Sequence, residues 1–270
     1  MDIPEILRAR AYGVVPARLR TALLLLPEAP LILLAAAAAL LLGPLPVFGW
    51  LLGLLAAIVV LRAAALHMGR AALTAGRPQQ ARWLGSLALA LHPWSADALA
   101  LSGAAALQCQ QPESAEQLLR QATQLAPGRA ALFAALSGAL LELGRNAEAA
   151  TAARQALQLD PQCAAAYLHL AEAERGTAAP AWAIEERLRS GLRHAADPDV
   201  EAALRCALAA HLIGQGRLAE ANLATAGVEA ALPNCSPAHR ARLRLRLCEL
   251  LLAQGHTDRA RAHLSMCAAD

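Results

Sequence analysis

Pro93, Pro127 and Pro161 stand 34 residues apart, and each closes a similar phrase: Ala88-Leu89-Ala90-Leu91-His92-Pro93, Ala122-Thr123-Gln124-Leu125-Ala126-Pro127 and Ala156-Leu157-Gln158-Leu159-Asp160-Pro161. Another alanine precedes each phrase by seven residues, at Ala81, Ala115 and Ala149. Farther upstream come Gly76-Arg77, Gln110-Gln111 and Gly144-Arg145. A fixed period of this length restricts a chain to stacked copies of one supersecondary unit, because a single copy cannot bury its own apolar face. Composition decides which unit. Ala supplies 70 of the 270 residues and Leu 54, only eight are aromatic, and all 24 basic residues are arginine. Such a chain favours helix and all but excludes a β-barrel, a sandwich or a doubly wound α/β enzyme. The net charge of +3 gives no reason to expect nucleic acid.

Each recurring residue has a physical reason. Two helices packed about 8–10 Å apart need small side chains where they cross. Glycine ends the first helix in a left-handed cap. Proline ends the second, because it donates no hydrogen bond and turns the preceding residue away from helix. In these features the chain resembles the tetratricopeptide repeat family, whose unit is two antiparallel helices with glycine between them and proline after the second. Gly69, Gly103 and Ser137 stand at the family's small position in the first helix of three successive copies.

Later copies drift. The fourth places Tyr167, Leu170 and Ala171 at core positions, with its turn stretched around Gly176-Thr177-Ala178-Ala179-Pro180, so that Pro198 follows Pro161 by 37 residues. The fifth runs from Glu201 to Pro233, with Gly214-Gln215-Gly216-Arg217 as turn and Ala221 after it. The sixth runs from about Ala238 to Met266, with Gly255-His256 as turn and Ala260 in its second helix. It lacks a closing proline, as suits a terminal cap. The expected fold is all-α: about six helix pairs over residues 62–270, forming an α-α superhelical solenoid behind an N-terminal transmembrane hairpin.

The hairpin rests on hydropathy. The apolar share is 57%, and no side chain from Ala29 to Leu61 is charged. One helix over that stretch would run about 50 Å against roughly 30 Å of bilayer hydrocarbon. Gly43-Pro44-Leu45-Pro46 interrupts it, so two arms are predicted, from about Pro27 to Leu42 and from about Leu45 to Leu61. Each arm reaches only ~24–26 Å, which leaves a full span and a re-entrant hairpin both open. Pro27-Glu28 suits a helix start. No small-residue cleavage site followed by a polar sequence suggests a removed signal peptide. Arg8, Arg10, Arg18 and Arg20 precede the hairpin, and Arg62, Arg70, Arg77 and Arg82 follow it. The positive-inside rule therefore puts both termini and the solenoid in the cytoplasm of an inner membrane. Phe48 and Trp50 suit either the outer interface or ordinary apolar packing. The expected division is a cytoplasmic segment at 1–26, the hairpin at 27–61 and the solenoid at 62–270. Leu61 to Leu66 keeps helical propensity, so the second arm is expected to run on into the first repeat helix.

Reactive chemistry is sparse. Cys109, Cys163, Cys206, Cys235, Cys248 and Cys267 form no CxxC pair, so they read as small core residues. The eight histidines offer no HExxH and no i,i+4 pair; His256 and His263 are separated by a turn glycine, and His92 reads as a loop residue. Gly214-Gln215-Gly216 lacks the setting of a phosphate loop, no serine sits in a GxSxG elbow, and Glu185-Glu186 reads as a solvated face. No enzyme, metal or cofactor is expected. Arg240, Arg242, Arg244 and Arg246 flank an apolar stripe of Leu243, Leu247 and Leu251. With Arg259 and Arg261 they form either a basic end or a solvated rim.

Proteins resembling this family bind partners on the concave face of their first helices. The resemblance places Ala100, Ala104, Leu107, Ala134, Gly138 and Leu141 there, an apolar set that cannot clamp a chaperone's terminal carboxylate. Leu168, Glu172, Arg175 and Arg205 continue the face with more polar character. Such a groove suits an amphipathic helix, a hydrophobic segment or the chain's own N-terminal segment. The expected function is a membrane-anchored bacterial adaptor for other proteins. Its rival is an accessory subunit of a larger membrane complex, packing through small residues such as Ala35 to Ala39, Gly49 and Gly53.

Overall fold

The computed structural model describes residues 46–177 and 179–267, with side chains from residue 53 to residue 266. The predicted N-terminal segment, the first hairpin arm and the Gly43–Leu45 break lie outside the described residues. So do the side chains of Phe48 and Trp50. The chain divides into two units, Met1–Ala64 and Ala65–Asp270.

Among the described residues are twelve α-helices and no strand. They are α1 (Pro46–Thr74), α2 (Pro78–Leu91), α3 (Ala96–Gln108), α4 (Pro112–Leu125), α5 (Ala130–Glu142) and α6 (Asn146–Leu159), then α7 (Ala164–Gly176), α8 (Ala181–His194), α9 (Pro198–Gly214), α10 (Leu218–Ala231), α11 (Pro237–Ala253) and α12 (Thr257–Cys267). A short 3₁₀ turn at Leu232–Asn234 precedes α11. Every predicted copy is thus a helix pair, and the second apolar arm and the first repeat helix are one element, α1.

The turns follow from the sequence. Gly76, Gly144, Gly216 and Gly255 have φ of +71° to +83°, and Gln110 takes the same left-handed conformation at φ +58°. The next residue then bonds five residues back: Arg77 N–H to Ala72 O at 2.8 Å, Gln111 to Ala106 at 2.9 Å, Arg145 to Leu140 at 2.9 Å, Arg217 to Leu212 at 3.0 Å and His256 to Leu251 at 2.8 Å. This is the Schellman closure. The second helices of the first three copies stop at Leu91, Leu125 and Leu159, and the residue before each proline leaves the helical region, with His92 and Asp160 extended. The fourth turn differs because Gly176 is the last residue of α7, where a Cβ would collide with the Asn146 side-chain amide.

Alanine makes the core. Ala81, Ala115, Ala149, Ala221 and Ala260 are fully buried, with Ile184 in the corresponding place of the fourth copy. The crossings are close: a Cβ on Gly103 would lie 2.7 Å from Leu119 Cγ. Ser137 at the same position is fully buried and donates to Ala149 O at 2.8 Å. Each helix packs on the next, and the first helices α3, α5, α7, α9 and α11 pack on one another in series.

Sequence reading missed a second device, at the turn edge. The residue after the left-handed one pairs with the residue after the buried small one in the preceding copy. Arg82 donates to Gln111 at 2.8 Å, Arg145 meets Glu116 at 3.4 Å, Arg217 meets Glu185 at 2.7 Å, and His256 meets Asn222 at 3.2 Å. At two of these junctions the pair grows into a four-membered network. Arg120, Glu116, Arg145 and Glu148 make one, and Arg189, Glu185, Arg217 and Glu220 make the other. Hydrogen bonds from the arginines hold the Glu148 and Glu220 carboxyls below the usual carboxylate range. The junction between the third and fourth copies has Ala150 at the glutamate position, and there Arg154 reaches Glu174 instead, at 3.6 Å.

Candidate interaction site

The first helices curve until α11 returns to the first turn. A Cβ on Gly76 would lie 3.5 Å from Ala238 Cα, the start of the sixth copy lying against the end of α1. This return shapes two adjoining, half-open cavities of about 390 and 420 Å³. Both are lined by Glu142, His169, Glu172, His239 and Arg242. The first adds an apolar wall of Leu73, Ala104, Leu107, Gly138 and Leu141; the second adds Leu168, Ala203, Ala207, Leu243 and Arg246.

The expected groove residues divide. Ala104, Leu107, Gly138, Leu141, Leu168 and Glu172 line the cavities. Ala100 is half-buried and packs against core residues of the second and third copies, while Ala134 is buried in the core. Ala134 still contributes its carbonyl, which accepts from His169 Nδ1 at 2.8 Å. Arg175 is exposed outside the cavities, with its charge near His211. Arg205 turns to the other side of α9. Glu201 holds it at 2.8 and 2.9 Å, and it lines a different recess with Leu192, Leu212 and Leu223. The repeat register set these expectations, and it fails at Arg205 because that residue faces α8 and α10.

Of the polar lining, Glu172 was expected, while Glu142, His169 and His239 were not. His169 lies over Gly138, whose absent side chain leaves its Cβ position 3.1 Å from the ring. Burial pushes its pKa below the usual value despite the nearby Glu172 charge and the bond to Ala134. His239 is fixed by Asp199 at 3.2 Å and Ser236 at 3.0 Å, and Ser236 Oγ donates to Asp199 at 2.6 Å. Asp199 also accepts the Ser236 N–H at 2.8 Å, so this cluster ties α9 to the start of α11. Of the four alternating arginines, Arg242 and Arg246 face the cavities. Arg240 and Arg244 instead bond backbone carbonyls at Cys235 and Met266, at 2.8 and 3.2 Å.

Cys206 and Cys235 are buried in the core, and burial pushes their thiols up to about 12 and about 11, far from nucleophilic use. Among the described residues no three His, Cys, Asp or Glu side chains are grouped so as to hold a metal ion. Trp83, Trp94 and Trp182 are largely exposed, at 64, 79 and 73%.

Residues 130–163, which span α5, α6 and their flanking turns, match the tetratricopeptide repeat family. The described helices form a tetratricopeptide-like solenoid. Solved structures agree on the fold. A thermophilic tetratricopeptide repeat protein of Thermus thermophilus superposes with a TM-score of 0.60 at 21% identity, over 71% of this chain and 99% of that one. The Pseudomonas aeruginosa pilF protein gives 0.55 at 20% identity, over 77% and 90%. The anaphase-promoting complex hetero-tetramer Cut9–Hcn1 gives 0.62 at 14% identity, over 77% of this chain and 39% of that one. No curated protein matches the chain in sequence. Tetratricopeptide proteins act as protein–protein interaction scaffolds.

Proposed function

We propose that the chain is a non-enzymatic adaptor that anchors a protein-binding solenoid to the cytoplasmic face of a bacterial inner membrane. The observation that carries the binding half is the concave face, whose half-open cavity combines an apolar wall of Leu73, Leu107 and Leu141 with charged side chains. The anchoring half is supported by the uncharged stretch from Ala29 to Leu61 and by α1. Its Gly53–Thr74 portion is long and apolar enough to cross a membrane by length and composition. Ala65 and Ala72 within that portion are buried in the repeat core, so the membrane-facing part is assigned upstream of them.

A second reading, an accessory subunit of a membrane complex, is favoured by one observation. Leu54, Val60 and Leu61 on α1 are exposed at 60, 67 and 49%. In-cell photo-crosslinking of the full chain separates the two. Capture of one soluble protein from Ala104 and Gly138, with none from Leu54 or Val60, is expected of the adaptor. Stoichiometric capture of integral membrane proteins from Leu54 and Val60 alone would overturn it in favour of the subunit. Release of the protein from membranes by alkaline carbonate would overturn anchoring in either form.

A further inference from the structure

The turn edge and the concave face treat charge differently. At the turn edge Glu116, Glu148, Glu185 and Glu220 are all paired with arginine. In the cavities Glu142, Glu172, Arg242 and Arg246 make no ion pair or side-chain hydrogen bond among the described residues. They stand on opposed walls, the glutamates on α5 and α7 and the arginines on α11, held apart by helices whose positions the repeat packing fixes.

We propose that the groove takes an amphipathic partner helix that carries acidic side chains along one flank of its apolar ridge and basic side chains along the other. The acidic flank meets Arg242 and Arg246, and the basic flank meets Glu142 and Glu172. This deepens the protein-binding reading above and rests on it. Small residues at Ala104 and Gly138 let a helix approach closely, and Leu107 and Leu141 receive its ridge. A ligand of one sign is disfavoured. A polyanion that reaches the arginines also faces the two glutamates, and a polycation meets the converse repulsion. A flat anionic bilayer cannot follow a concave face that curves until Ala238 lies close to Gly76. Once a partner excludes water, each charge on the walls gains a counter-charge that the free protein leaves to solvent.

The test uses the full chain in detergent micelles and four helical peptides of about 18 residues. All share a Leu/Ala ridge, with flanks of Glu and Lys, Glu and Glu, Lys and Lys, or Gln and Gln. Fluorescence anisotropy should rank the mixed peptide about tenfold or more tighter than the others. Arg242→Glu with Arg246→Glu should abolish that preference. Adding Glu142→Arg and Glu172→Arg should restore it, with the peptide bound in the opposite chain direction. Circular dichroism checks that each variant is folded. Equal binding of all four peptides would overturn the charge match and leave the protein-binding groove standing. Tightest binding by either single-sign peptide would also overturn the match. Failure of the folded wild-type chain to bind any of them would overturn both readings. Binding to phosphatidylglycerol vesicles that disappears in the double arginine variant would assign the arginines to lipid instead.

Discussion

The turn edge and the concave face of this solenoid are built from the same few residue types, yet they use them for opposite ends. At the edge, arginine and glutamate satisfy one another across two junctions in register, and polar pairs take the equivalent place at two more, so their charge is consumed in holding copies together. On the concave face the same residues stand apart, and α11 supplies the basic wall only because the solenoid turns back on its own beginning. Charge that is paired within the fold stabilises it modestly, and charge that is held apart is available to a partner.

Substitutions at the edge should therefore move stability and not binding, and those on the face the reverse. The largest effect is expected of Glu116→Lys. It puts a cation at a site only 8% exposed, beside Arg120 and Arg145, and should cost about 2 kcal/mol in urea unfolding. Gly144→Ala forces a side chain into φ +71° and should cost about 1 kcal/mol. Gln110→Gly works in the other direction. The second copy carries a side chain where the other left-handed turns have glycine, and removing it should add about 0.5–1 kcal/mol.

Acid tests the face by another route. Burial holds His169 below its usual 6.5, so the unfolded chain takes up the proton first. Stability should fall as pH drops through 6.5, and His169→Gln should flatten that slope between pH 7.5 and 5.5. His211, also lowered chiefly by burial, leaves a residual slope of the same sign. Smallest of all, Arg242→Gln and Glu172→Gln should each change stability by under about 0.5 kcal/mol, because neither makes an ion pair to lose. A larger loss would mean that the two walls support the fold after all.

The helix pairs were legible because each boundary is written in one residue type. The prolines, the turn glycines and the buried alanines act locally, so spacing alone predicts them. Gln110 could be placed by register even though its side chain argues against the turn it makes. The site was legible only in part. Register carried Ala104, Gly138 and Glu172 to one wall, since each is 34 residues from the next. It could not supply Arg242 and Arg246, which reach the opposite wall through superhelical curvature summed over five copies. Helical period splits the four arginines into two pairs, Arg240 with Arg244 and Arg242 with Arg246, but which pair faces the cavities is settled only in the folded chain, where Arg240 and Arg244 find backbone carbonyls. The junction pairs escaped for a different reason: Arg82–Gln111, Arg145–Glu116 and His256–Asn222 are equivalent in place but share no residue type.

The contact of Gly76 with Ala238 changes how the repeats come apart. A solenoid whose copies touch only their neighbours frays from its ends, one unit at a time. Here the first and sixth copies also touch, so loss of either end costs the other a contact. A long-range closure of this kind adds contacts of high sequence separation and favours loss of the two ends together over fraying one unit at a time.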